Sequence, residues 1–278
     1  MGAFRPIFAS IVRSGFVKVL VTGVYGLIAW VAYKRLSDRA DLAVSGLARR
    51  RTPLERVAED ESIEIPEERF YLSDLTDYDG VRAAVEGQEV VVHMAADPRP
   101  TADWEDILDS NMIGAYHVFE ACRDAGVRRV VYASSIMANW GYWDDEPYRA
   151  IREGRYDEVP ETLPLITYRD PPRPTEPYSA SKVWGEALAR TYSDVHGVSC
   201  ICLRIGWVNA EDEPYKSEVA PVWCSQRDIV QLIEKSVDAP ADLKFDILYG
   251  ISNNPYCWVD VARGSEVVGY VPQDGGGA

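Results

Sequence analysis

The run Phe16-Val-Lys-Val-Leu-Val-Thr22 passes directly into Gly23-Val-Tyr-Gly26 and reopens as Leu27-Ile-Ala-Trp-Val-Ala-Tyr-Lys-Arg-Leu36. A short β-branched stretch that ends in glycines, followed by apolar residues at helical spacing, predicts a strand, a tight turn and a helix. The alternation then continues. Further strands are predicted over 41–47, 69–72, 89–94, 129–133, 199–203 and 244–249, with helices over 78–85, 104–125, 178–196, 225–237 and 259–268. Strands that alternate with helices build a parallel sheet, and right-handed crossovers wind helices onto both faces, so the expected class is α/β with a doubly wound sheet.

Two stretches interrupt this rhythm. Residues 141–175 carry Pro147, Pro160, Pro164, Pro171, Pro172 and Pro174 among many acids and arginines, which predicts a long irregular insertion facing a substrate. Residues 206–222 read as a second loop, and 275–278 as a loose tail. A chain of 278 residues suits one domain over 1–278. Within it, about 16–205 form a cofactor-binding core and about 206–272 a small C-terminal substrate lobe.

A formal charge of −15 argues against nucleic acid or an anionic membrane as partner, because both demand a basic face. Cys122, Cys200, Cys202, Cys224 and Cys257 show no metal spacing and are expected to be reduced core thiols, with no metal site. The apolar residues between 4 and 21 are broken by Arg5, Arg13 and Lys18 and run into a predicted strand, which suits neither a membrane span nor a cleaved signal. A cytoplasmic location is therefore expected.

In Gly23-x-x-Gly26-x-x-Ala29 the glycines permit a sharp turn that lets a pyrophosphate approach the backbone at the positive end of the next helix. Gly23, Tyr25, Gly26, Leu27 and Ile28 are the candidate contacts. The second strand runs out as Ala48-Arg49-Arg50-Arg51, without the acid that commonly holds the ribose 2′-hydroxyl of NAD. Arg49 and Arg50 can instead embrace a 2′-phosphate, which favours NADP; the alternative is a solvated basic turn with NAD bound. Asp74 and Leu75 follow the third strand, where they are placed either at the adenine edge or, for Asp74, at a helix cap. Met94, Ala95 and Ala96 follow the fourth strand, beside the ribose and phosphates.

Tyr178 and Lys182 stand four apart on a predicted helix and so share a face about 5–6 Å apart. There the ammonium can lower the phenol pKa, which makes an acid/base usable at neutral pH. Taken together, Thr22-Gly-x-x-Gly-x-x-Ala29, Asp74-Leu75, His93-Met-Ala-Ala96, Asn111, Ala133-Ser-Ser135, Tyr178-x-x-x-Lys182 and Arg204-Ile-Gly206 resemble the extended short-chain dehydrogenase/reductase family, over about residues 17–272. The resemblance implies a Rossmann-type fold, Tyr178 as acid/base, Lys182 on the nicotinamide ribose, Ser135 on the reacting oxygen, and Asn111 supporting the lysine through water. It further implies cofactor contacts from Ser134 and Ile205 and a homodimer through helices that include the one bearing Tyr178.

Asp97-Pro-Arg-Pro100, residues 222–228 and 249–254, and Gly269-Tyr-x-Pro-Gln-Asp274 resemble the subgroup that oxidises sugars at C1, which includes uronate dehydrogenases and the archaeal short-chain glucose-6-phosphate dehydrogenases. The implied substrate is a sugar, converted to a lactone. Two positions depart from that pattern. Ile136-Met137 stand where an Asn-His pair is usual, and Lys216 or Glu218 where an anion-binding arginine is usual. Arg149, Arg152, Arg155 and Arg173 are candidate replacements or a solvated face, and Trp140, Tyr142 and Trp143 a stacking wall or plain packing. The rival functions are a nucleotide-sugar epimerase or dehydratase and a non-catalytic cofactor sensor.

Overall fold

The computed structural model describes residues 15–52, 65–99, 101–216 and 218–276. Seven strands form one sheet in the order β3-β2-β1-β4-β5-β6-β7. They are β1 (Val17–Thr22), β2 (Leu42–Ala48), β3 (Phe70–Leu72), β4 (Val90–His93), β5 (Arg129–Ser135), β6 (Ser199–Ile205) and β7 (Phe245–Gly250), and every pair is parallel. β4, β5 and β6 are buried along their whole length, as strands covered on both faces must be.

Helices α1 (Leu27–Ser37), α7 (Gln226–Val237) and α8 (Ala262–Val268) cover one face; α2 (Tyr78–Val85), α4 (Gly114–Asp124) and α6 (Pro177–His196) cover the other. The order of strands reverses between β1 and β4, and at such a switch point the crevice beyond the strand C-termini is where α/β sheets bind ligands. Thr22, Ala48, His93, Ser135 and Ile205 all end strands on that side.

The fold class and the alternation of elements stand as the sequence predicts, with three differences. The helix expected over 104–125 is α3 (Trp104–Ile107) and α4 joined through a π-helical turn, Leu108–Ile113, which contains Asn111. The insertion is structured rather than irregular: a 3-10 stretch over Ile136–Asp144, then α5 (Tyr148–Arg152), then a turn at Tyr156–Glu158. Trp143, Tyr148, Ile151 and Ile166 pack with Val222, Tyr249, Ile251 and Trp258 in a third core, so insertion and C-terminal lobe close on each other. The tail is tied down as far as Gly276: Asn253 N donates to Asp274 O at 2.8 Å and Gly276 N to Asn254 Oδ1 at 2.9 Å.

All five cysteines are free, four of them buried. Among the described residues no helix is long and apolar enough to cross a membrane, and no His, Cys, Asp and Glu side chains group as metal ligands. The expectation for the segment 1–14 lies outside the described residues, as do Pro100 and residues 277–278.

Candidate active site

The tips of β1 and β4 meet at one close crossing. Gly23 has φ +69°, and a Cβ there would come within 2.7 Å of Ala95 Cα, so both the turn and the approach require glycine. Thr22 Oγ1 holds the crossing from the side, accepting from Ala95 N at 3.2 Å and pairing with His93 Nδ1 at 2.8 Å. Burial and the nearby Lys182 charge pull the His93 imidazole down to about 3, so it is neutral.

Helix α1 begins at Gly26, which has no side chain to cap it, and its first turn holds no acid. The first-turn amides are left for a ligand, which fits the pyrophosphate of a dinucleotide. Leu27 and Ile28 are half-buried in this turn. The Tyr25 ring is turned inward, stacked on Trp30 at 5.7 Å and against Phe70 at 5.6 Å, so only its backbone faces the cradle.

Beyond β2, Arg49 and Arg50 are exposed, and among the described residues neither has a carboxylate partner. Arg51 differs, its guanidinium lying 4.5 Å from the Phe70 ring centroid and 3.5 Å from Glu67. The Arg49 charge contributes to holding both Asp74 and Asp97 low, although hydrogen bonds from Thr76 and Arg99 respectively are the larger cause. Asp74 folds a turn by accepting from Thr76 N and Oγ1; the cap of α2 is Asp77, which corrects the capping alternative for Asp74. Leu75 packs against Gly114, and Met94, Ala95 and Ala96 lie half-buried along the crevice.

The acid/base pair sits where α6 crosses β5. A glutamate-serine capping box (Glu176, Ser179) and Pro177 start α6 one residue before Tyr178. Lys182 Nζ donates to Ala133 O at 2.8 Å, just past the last β4–β5 partners, His93 and Tyr132. The ammonium lies 5.5 Å from the Tyr132 ring centroid and 5.7 Å from that of Tyr178. Gly185 permits this close crossing, because a Cβ at that position would overlap the Tyr132 hydroxyl.

Burial pulls Lys182 down to about 8 and pushes Tyr178 up to about 12, with the Ser135 hydrogen bond drawing the phenol back. In the protein alone desolvation thus sets the direction, and the lowering comes from Ser135 and not from Lys182 as expected. Ser135 Oγ also accepts from Met137 N at 3.2 Å.

Asn111 does not touch Lys182. Its Oδ1 accepts from Asp97 N at 2.7 Å, while Nδ2 donates to Asp97 O and to Ser181 Oγ, both at 3.1 Å. Ser181 Oγ donates in turn to Tyr178 O at 2.6 Å, so the π-helical turn, the loop after β4 and α6 are locked together. Ser134 is committed elsewhere, donating to Glu186 Oε1 at 2.6 Å. Glu186 accepts two bonds from Arg204, at 2.8 Å each, and Arg204 also donates to Asn139 and Tyr249. This buried network ties β5, α6, β6 and β7 together beneath the site. Ile205 is buried at the end of β6.

The four insertion arginines are neutralised by neighbouring acids: Arg149 by Glu146, Arg152 by Asp144, Arg155 by Glu146, Glu153 and Glu158, and Arg173 by Asp145. Trp140 approaches Trp143, Trp207 and Trp258 at 6.0–6.3 Å, and Trp143 stacks on Trp258 at 5.4 Å. Trp143 is thus core, whereas Trp140 and Trp207 are half-buried. Thr22, Gly185, Ser181 and Glu186 were not singled out by the sequence as individual site residues; Glu186, four residues past Lys182, carries the one detectable signal, a charge on the buried helix face.

A dinucleotide cradle, a Tyr-Lys-Ser cluster at the strand tips and the motif order converge with comparison to known proteins. Residues 19–226 match the NAD dependent epimerase/dehydratase family. The chain belongs to that family. The NAD-dependent glucose-6-phosphate dehydrogenase of Haloferax volcanii is 34% identical over 92% of this chain and 93% of that protein. The L-arabinose 1-dehydrogenase (NAD(P)(+)) of the same organism is 31% identical over 72% and 80%. Among solved structures, a tyrosine variant of the uronate dehydrogenase of Agrobacterium tumefaciens, complexed with NAD, superimposes with a TM-score of 0.73 at 28% identity, covering 94% of this chain and 86% of that one. Epimerase relatives are more distant. The motif resemblance to NAD(P)-dependent short-chain dehydrogenases is thereby borne out.

Proposed function

We propose that the protein oxidises a sugar hydroxyl, at C1 to the lactone, with NAD(P) as hydride acceptor. The observation that carries this reading is Tyr178, Ser135 and Lys182 gathered at the end of β5 beside the dinucleotide cradle. Bound NAD(P)+ supplies an acceptor for the C1 hydride and a positive charge that favours the phenolate. Ser135 and Tyr178 bracket the substrate oxygen, and Tyr178 accepts the hydroxyl proton as the carbon–oxygen double bond forms. Lys182 spends one N–H on Ala133 O and has two more for ribose hydroxyls. The first-turn amides of α1 hold the pyrophosphate.

Arg49 and Arg50 support a preference for NADP, since both are exposed at the end of β2 and neither is ion-paired among the described residues. The replacement Arg49→Ala with Arg50→Ala should lower kcat/KM for NADP by roughly 10–100-fold and spare that for NAD, given about 1.5–3 kcal/mol for hydrogen bonds to a charged group. The same reading includes a cytoplasmic homodimer; outer-face residues Val195 on α6 and Tyr116 on α4 are 69% and 45% exposed. Light scattering that gives one 31.1 kDa species would reject the dimer.

The deciding experiment follows absorbance at 340 nm with free aldoses, uronates and sugar phosphates and each cofactor. Stoichiometric appearance of reduced cofactor supports the dehydrogenase. No net turnover of free cofactor with any of them would refute it in favour of an epimerase, which retains its cofactor.

A further inference from the structure

A buried ammonium ordinarily finds a carboxylate, and Lys182 has none. Its Nζ donates to Ala133 O at 2.8 Å, and among the described residues no acid forms an ion pair with it. Glu186, one turn further along α6, is committed to Arg204 and Ser134. The other titratable groups around it are His93 on β4, Tyr132 on β5, Cys202 on β6 and Tyr178 on α6. His93 is neutral, with Nε2 buried and unpartnered, and burial pushes the Tyr132 hydroxyl and the Cys202 thiol up, so these too carry no charge.

What the ammonium meets instead is aromatic. Nζ lies over the Tyr132 ring, 5.5 Å from its centroid, and 5.7 Å from the centroid of Tyr178. The negative face of a ring attracts a cation, more strongly the drier the site. Tyr178 shares α6 with Lys182, so the ring that can fix the ammonium against the sheet is Tyr132. That ring is 2% exposed and flanked by Phe119 at 5.8 Å and His93 at 5.7 Å, and its hydroxyl fills the space that a Cβ on Gly185 would take. β5 thus holds the ammonium through two consecutive residues, the ring of Tyr132 and the carbonyl of Ala133. Both contacts are uncharged, so they locate the charge without neutralising it and leave two N–H bonds to spare.

Resting on the dehydrogenase reading, we propose that Tyr132 is a positioning residue for the reaction, its ring face holding the Lys182 ammonium charged and in place for the cofactor ribose. The test compares Tyr132→Phe, which keeps the ring, with Tyr132→Leu, which loses it. In sugar oxidation Tyr132→Leu should move the upper break of the pH profile from about 8 toward about 7 and lower kcat/KM at pH 8 about fivefold, while Tyr132→Phe stays close to the wild type. Thermal unfolding without cofactor or sugar gives an independent readout. The ring attracts the lysine only while it is charged, so the deficit of Tyr132→Leu relative to Tyr132→Phe should be full below about pH 7 and fall through about pH 8 to a constant packing loss. A third readout keeps the shape of the ring and so does not depend on Tyr132→Leu folding. One, two and three fluorines on the Tyr132→Phe ring weaken its negative face in steps and should lower the pH break in the same order. A deficit equal at every pH with an unshifted break makes Tyr132 plain packing and overturns the proposal. So does indifference to fluorination, or a Tyr132→Phe that behaves like Tyr132→Leu, which assigns the effect to the hydroxyl. Absence of turnover by the wild type with every sugar overturns the dehydrogenase reading, and the cofactor-free comparison still decides whether the ring holds the ammonium.

Discussion

Replacing Lys182 by methionine should stabilise the protein alone while abolishing its catalysis. Lys182 is 4% exposed, and burial holds its pKa at about 8 against the ordinary 10.5. At about 1.36 kcal/mol per unit, this shift corresponds to a penalty of roughly 3 kcal/mol for keeping the buried charge. Methionine has similar length and no charge. It forfeits the charge-assisted bond to Ala133 O, at least about 1.5 kcal/mol, so the expected gain at pH 7 is about 1 kcal/mol. For a chain of this size that is about 2 °C in Tm.

The pH dependence isolates the cause. Because the folded-state pKa lies below the unfolded one, the unfolded chain binds the extra proton between pH 8 and 10.5, and the wild type gains stability across that window. The advantage of the variant is therefore full below about pH 8 and gone above about 10.5. The assay is differential scanning fluorimetry of both proteins without cofactor, from pH 7 to the alkaline limit of folding. Added cofactor should raise Tm of the wild type more than that of the variant, since binding to the native state alone stabilises it. A variant that melts below the wild type at pH 7, or whose advantage persists unchanged at high pH, would refute the account.

Glu186→Gln should cost about 3–5 kcal/mol in urea unfolding, because it strands Arg204, which is 2% exposed, without its carboxylate; a loss under 1 kcal/mol would show the network to be slack. Gly185→Ala should destabilise by about 1–3 kcal/mol and lower kcat disproportionately, since a Cβ there forces α6 away from Tyr132. Unchanged kcat would mean that the helix crossing does not position Lys182. In alcohol oxidation, kcat/KM should climb from about pH 6 to 8, because Tyr178 is held up to about 12 and must give up its proton. The climb should flatten above about pH 8 as Lys182 loses its charge; a flat profile throughout would exclude Tyr178 as the base.

The parts of this fold that could be read from the sequence are those with short-range causes. β1, the glycine turn and α1 occupy one continuous stretch, and each motif at a strand tip sits beside the strand that presents it. Tyr178 and Lys182 were legible because helical spacing alone brings them together. The π-helical turn around Asn111 was not, since the pairing of its side chain with Asp97 and Ser181 is tertiary. Nor was the order within 141–175, where prolines and charges hide Trp143, Tyr148 and Ile151; their partner Trp258 comes from the far end of the chain.

The sign of a binding site belongs to that second category. Counted along the chain, Arg149, Arg152, Arg155 and Arg173 are four cations beside a predicted substrate loop, and they could serve an anion. In the folded protein each already faces an acid of its own segment, so a phosphate or carboxylate would have to break an existing pair to use one. Asp97 shows the same rule for an acid: Arg99 pairs with it at 2.5 Å, while Asn111 fixes its backbone. Whether an arginine can serve an anionic substrate is thus decided by the partner it finds after folding, which no count along the chain shows.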